Sequence, residues 1–263
     1  MLSNTFFKTL YTKRWFLISW FLAMAALVIF TIVFYPSLRD SFGQTLKQVP
    51  DSLKAFIGNT QNYTTIAGYT DLQVFFQFSY IVLIFGVILF TGVLAGEETD
   101  GTLQTLLAQP ISRGRVYIEK LVGSMTLLMG GCMSLLVGTY VGVFFIHEHI
   151  GLQRMLVSVL AEFLLILVFS SLAYAMGAAT GKRAISGGIA GVLAFLSLLI
   201  TSLAESIKSL RVVDKFSPFH YFDKPGILLY GPNWKYLLIL AMISVVFIIV
   251  GYVLFLKRDI YQR

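Results

Sequence analysis

The chain has 263 residues, of which 57% are hydrophobic and 13% charged, with a net charge of +7 and a mean hydropathy of +0.80. A soluble globular chain carries about 25% charged residues, so the composition excludes an ordinary soluble enzyme, a disordered chain and a nucleic-acid module with a basic patch. The single cysteine, Cys132, excludes a disulfide framework and a cysteine-based metal site.

Crossing roughly 30 Å of hydrocarbon takes about 20 mostly apolar residues in a helix. Six segments qualify: 15–35, 74–95, 121–146, 156–180, 185–203 and 236–256. Together they predict one all-α membrane domain over 1–263, with no stretch left for a soluble catalytic unit. Ahead of the first span, residues 3–14 place Phe6, Phe7, Leu10 and Tyr11 on one helical face with Lys8 and Lys13 off it. That pattern predicts a helix lying in the membrane interface. Lys8, Lys13, Arg14 and the triplet Ala23-Met24-Ala25 mimic a secretory signal, but the apolar stretch outruns the roughly 7–15 residues of a signal core. The first span therefore reads as a retained helix.

Six spans put both termini on one side. Segments 1–14, 96–120, 181–184 and 257–263 hold 11 Lys/Arg, more densely than the 9 in segments 36–73, 147–154 and 204–235. The positive-inside rule then places both termini in the cytoplasm. The first outer loop, punctuated by Pro36, Gly43, Pro50, Gly58 and Gly68, predicts one or two short helices. Its Asn62-Tyr63-Thr64 sequon carries no weight, because such matches are common by chance.

After the second span, Glu97 and Glu98 suit a helix N-terminus, Asp100 is a capping residue, and Leu103, Leu106 and Leu107 form one apolar stripe. Pro110 ends this short helix and Ser112 caps the next. A docking element for a soluble partner has this form. In the last outer loop, Phe216, Pro218, Phe219, Tyr221 and Phe222 predict short helices dipping into the outer interface.

The run Gly96-Glu97-Glu98, Gly101-Thr102-Leu103, Leu106-Leu107-Ala108-Gln109-Pro110-Ile111-Ser112-Arg113 and Lys120 resembles the membrane subunit of ABC-2-type transporters. Tyr35-Pro36 and Ser217-Pro218-Phe219 extend the resemblance. It implies a six-helix permease of a prokaryotic cell membrane, working as a dimer of identical or homologous copies with two cytoplasmic ATP-binding-cassette subunits. Glu97, Glu98, Gly101, Thr102, Leu103, Leu106, Leu107, Pro110, Ser112 and Arg113 would form the coupling helix. Its leucines would divide between the bilayer edge and the ATPase cleft, with Glu97, Glu98 and Arg113 as a polar rim. Residues 3–14 would be the interfacial connecting helix, and 204–232 the outer re-entrant helices. The implied activity is export of a drug, peptide, lipid-like or other substrate.

The chain itself is expected to be no enzyme and to hold no cofactor or metal, with ATP and Mg on the partner. Gly177–Arg183 imitates a phosphate loop but is one residue short between its glycines and lacks the Ser/Thr that holds Mg²⁺, so it reads as a turn. His147-Glu148-His149 offers metal-type ligands, but adjacent ligands in a short loop rarely close a site. Glu162 is the one ionisable residue well inside a span, a candidate for the translocation path or a proton-linked step that also lies near enough to the outer end to snorkel. Gly92/Gly96, Gly138/Gly142, Gly177/Gly181 and Gly187/Gly191 permit close helix approach. An ion-coupled secondary transporter would want inverted repeats and midplane charges. A CAAX-type intramembrane protease would need an Arg at Thr102 and Glu97 on the same membrane face as His149.

Overall fold

The computed structural model describes residues 5–39, 65–204, 207, 209–222 and 226–258. Residues 40–64, most of the first outer loop in which one or two short helices are expected, lie outside them. Among the described residues, six helices are long and apolar enough to cross a membrane: α1 (Thr5–Val33), α2 (Ile66–Thr99), α4 (Arg113–Phe145), α5 (Leu152–Thr180), α6 (Arg183–Ala204) and α10 (Trp234–Lys257). Between them sit short helices α3 (Thr102–Leu107), α7 (Leu210–Asp214), α8 (Pro218–Tyr221) and α9 (Ile227–Tyr230), and there is no strand among the described residues.

Helix α1 corrects one expectation. Residues 5–14 are not a separate element but the first turns of the same helix as the first span, since no Gly or Pro breaks the run. At 1.5 Å per residue its 29 residues extend about 43 Å, well beyond the hydrocarbon core. Of the predicted apolar face, Phe7 and Tyr11 are exposed and Leu10 is partly buried, while Thr5 and Thr9 face inward.

Helices α2, α4 and α5 form the centre, and α1, α6 and α10 line the periphery. The α1–α4 seam is set by glycine. A Cβ on Gly138 would lie 2.7 Å from Val28 Cβ and 2.9 Å from the Ala25 carbonyl, and one on Gly142 would lie 2.8 Å from Ile32 Cβ. Two backbones approach closely where side chains are missing, and dispersion contacts accumulate along the seam. Helix α10 packs on α5 and α4 through Gly251, beside Ala175 and the Tyr117 hydroxyl.

Candidate functional site

The 96–113 segment begins in the last turns of α2. A π turn over Gly92–Gly96 leads into one helical turn, Glu97–Thr99. The chain then reverses at Gly101, whose φ of 74° lies in the left-handed region that glycine enters freely. Asp100 does not cap α3. It ends the preceding turn in right-handed conformation, because the chain arrives still helical and only a residue of positive φ can turn it. The Thr102 hydroxyl closes the reversal by donating to the Glu97 carbonyl at 3.1 Å. Ser112 does cap α4, accepting from the Arg115 N–H at 3.3 Å.

The leucine stripe faces the chain's own core. Leu103 is fully buried and Leu106 nearly so, while Leu107 and Ile111 pack partly against the same core. Thr102, Thr105, Ala108 and Gln109 form the opposite, exposed face. The acidic pair is also drawn inward rather than forming an outer rim. Glu97 Oε2 lies 2.6 Å from Lys120 Nζ of α4, and Lys120, 1% exposed, also donates to the Val93 carbonyl at 3.0 Å. Glu98 pairs with Arg258 at the end of α10, and Arg258 also reaches the Gly177 carbonyl of α5 at 3.4 Å. Arg113 donates to the Arg258 carbonyl at 2.8 Å. Gly181, at φ 66°, ends α5 directly beneath the Glu98 carboxylate, where a Cβ would collide with it. The reversal is thus tied to α4, α5 and α10 by two ion pairs and three hydrogen bonds from side chains to backbone carbonyls.

Both terminal helices end at this face, α10 through Arg258 and α1 through the Thr5 N–H, which donates to Glu119 of α4 at 2.9 Å. His149 lies beyond the far end of α4, about 40 Å from Lys120 at the helical rise. Glu97 and His149 therefore cannot share a site. Glu148 pairs with Arg39 at 3.6 Å.

Glu162 does not snorkel. It is fully buried, with Oε2 2.7 Å from the Ser79 hydroxyl of α2 and Oε1 without a hydrogen-bond partner among the described residues. Ser79 also contacts the Phe75 carbonyl. A hydroxyl carries one proton, so Ser79 donates either to that carbonyl, with Glu162 donating to Ser79, or to Glu162 and not to the carbonyl.

At the opposite end from Gly101, Asp71 of α2, 3% exposed, accepts from the Leu228 N–H at 3.0 Å, and Arg154 of α5 donates to the Leu228 and Leu229 carbonyls at 2.8 and 3.1 Å. These bonds hold α9 against the bundle. The aromatic set next to it divides. Phe219 and Phe222 are buried, Phe219 against Phe169 at 5.7 Å between ring centroids, and Tyr221 and Pro218 are half-buried, while Phe216 is 84% exposed. Asp71, Arg154 and Arg258 are the residues that the sequence reading missed, each a charge at the edge of an apolar run. Lys120 stood in the family pattern, but its pairing with Glu97 was not foreseen.

Residues 7–260 match the family described as ABC-2 family transporter protein. The chain is 24% identical over 255 residues to the uncharacterized protein YhcI of Bacillus subtilis (strain 168), covering 86% of this chain and 78% of that one. It is 28% identical over 190 residues to a probable ABC transporter permease protein, NosY, of Stutzerimonas stutzeri, covering 70% of this chain and 65% of that one. With six apolar helices and a match spanning nearly its whole length, the chain belongs to the ABC-2 family of transporters, as a multi-pass membrane permease.

Proposed function

We propose that the chain is the membrane half of an exporter powered by ATP hydrolysed, with Mg, on two separate cytoplasmic subunits, and that it works as a dimer with a second copy or a homologous permease in a prokaryotic cell membrane. Both termini and the 97–113 segment face the cytoplasm. Thr102, Thr105, Ala108 and Gln109 dock in the ATPase, while Leu103, Leu106, Glu97 and Glu98 hold the docking turn to the spans. The observation that carries this reading is the division of α3 into a small, exposed face and a buried leucine face tied through Glu98 and Arg258 to the ends of α5 and α10. A push on the exposed face is then transmitted to three helices rather than dissipated in a loop. Glu162 lies between α2 and α5 as a polar point on the path that the substrate takes. Exported substrates of this class are drugs, peptides, lipid-like or other molecules.

The test is co-expression of the chain with its candidate ATPase, reading co-purification and substrate-stimulated ATP hydrolysis. Ala108→Arg is expected to keep the protein folded and abolish assembly. Normal assembly and stimulation in Ala108→Arg would overturn the docking assignment, and ATP hydrolysis by the isolated chain would overturn the division of labour.

A further inference from the structure

The pair Gly92/Gly96 does not bring two helices together. Cations fill the space instead. The point where a Cβ of Gly92 would sit is 3.6 Å from Lys13 Nζ of α1 and 4.0 Å from an Arg183 guanidinium nitrogen of α6, and the Arg183 side chain also passes 3.7 Å from the same point on Gly96. Two positive heads, delivered by helices on either side of α2, converge on one spot. Among the described residues neither side chain makes an ion pair or a hydrogen bond, and the Lys182 ammonium beside them makes none either. Like charges brought this close repel unless an anion lies between them. Next to this spot an open groove of about 620 Å³ runs between α2 and α6, with Val87, Ile88 and Gly187 along it and Lys182 and Arg183 at its rim. Val87 and Ile88 lie about 7 Å along α2 from Gly92, on the side toward the membrane interior. An apolar channel ending in cations that make no ion pair among the described residues, beside a Glu97 already paired with Lys120, complements a molecule with an anionic head and acyl tails.

We propose that this groove is a binding site for an anionic phospholipid, its phosphate between Lys13 and Arg183 over Gly92 and an acyl chain along Val87, Ile88 and Gly187. The two glycines leave room for the cationic side chains to lie flat against α2, and the bound phosphate closes the gap between α1 and α6. A basic pocket between membrane helices on one face has this lipid preference on electrostatic grounds.

The test titrates dioleoyl-phosphatidylglycerol into the purified full chain in a neutral detergent and counts bound lipid by native mass spectrometry. Dioleoyl-phosphatidylcholine and glycerol 3-phosphate are run in parallel. Each cation near an anionic headgroup contributes about a factor of five in affinity, so Lys13→Gln/Arg183→Gln is expected to weaken phosphatidylglycerol binding about 30-fold. Gly187→Leu keeps the charges and fills the apolar channel, and is also expected to weaken binding. Lys257→Gln removes an exposed cation at the same face and is expected to change nothing. The proposal is overturned if phosphatidylcholine binds equally, if Lys257→Gln weakens binding as much as the double variant, or if neither site variant has an effect. It is also overturned if glycerol 3-phosphate binds as tightly as the lipid, or if a wild-type dimer takes up lipid only after dissociation, because a second copy would then occupy the groove.

Discussion

Lys120 Nζ and Glu97 Oε2 lie 2.6 Å apart at the junction of α2 and α4, with the lysine 1% exposed and the glutamate side chain 25% exposed. That asymmetry decides what each deletion does. Glu97→Ala strands a buried ammonium with only the Val93 carbonyl for company, and breaking a buried pair in this way costs about 3–5 kcal/mol. Lys120→Met leaves a carboxylate that can turn toward water, so its cost is smaller. A double-mutant cycle read by thermal unfolding is expected to show Glu97→Ala as the more damaging single change, with Lys120→Met added to it recovering stability. Equal single effects that simply add would show that Glu97 and Lys120 do not stabilise one another.

The leucine face of α3 is structural, so its substitutions act through folding. Leu103→Ala is expected to cost about 2–5 kcal/mol, the range for an unfilled leucine cavity. Ala108→Arg on the opposite face is expected to leave the unfolding temperature unchanged while weakening ATPase binding by about 2 kcal/mol or more, roughly 30-fold. The two readouts, melting and pull-down, separate the faces.

How far the sequence carried this arrangement depends on what periodicity can report. Spacing identified Leu103, Leu106 and Leu107 as one face but could not say what covers it, and the cover is the chain's own core. The six spans were legible because apolar length alone sets them. Their ends were not, because Glu97, Lys120 and Asp71 interrupt the apolar runs while remaining helical and satisfied by partners on other helices. The run through Thr12, Lys13 and Arg14 contains nothing that stops a helix, yet amphipathicity suggested a separate interfacial element. Glu162 was visible as a carboxylate within a span. Its partner Ser79, 83 residues away, was not.

The α1–α4 seam makes a packing prediction. Gly138→Ala would push a methyl group within 3 Å of both Val28 and the Ala25 backbone, and overpacking of this kind costs about 1–3 kcal/mol. The variant is expected to melt earlier, with Gly188→Ala, which meets open space, as the unaffected control.

Ser79→Ala removes the described hydrogen-bond partner of a fully buried carboxyl group and is expected to cost about 1–3 kcal/mol. Glu162→Gln keeps an acceptor and adds donors, so it is expected to fold and assemble normally. If transport is lost in Glu162→Gln while assembly is retained, the residue acts on the path rather than in the scaffold. Normal transport would assign it to packing.

Orientation is testable because Cys132 is buried and should not label. Cysteines at Ser112 and at the exposed Phe216 are expected to react from opposite sides of the membrane, with Phe216→Cys accessible from outside intact cells. Reaction of both from outside would break the six-span topology.

A photo-crosslinking residue at Ala108 in the assembled complex reports whether the exposed face of α3 is where a separate ATPase engages the spans. An ATPase cross-link is expected from Ala108 and from Thr105, and none from Leu193 on the exposed side of α6. An intact complex that yields no cross-link from Ala108 or Thr105, or yields one equally from Leu193, would contradict that engagement.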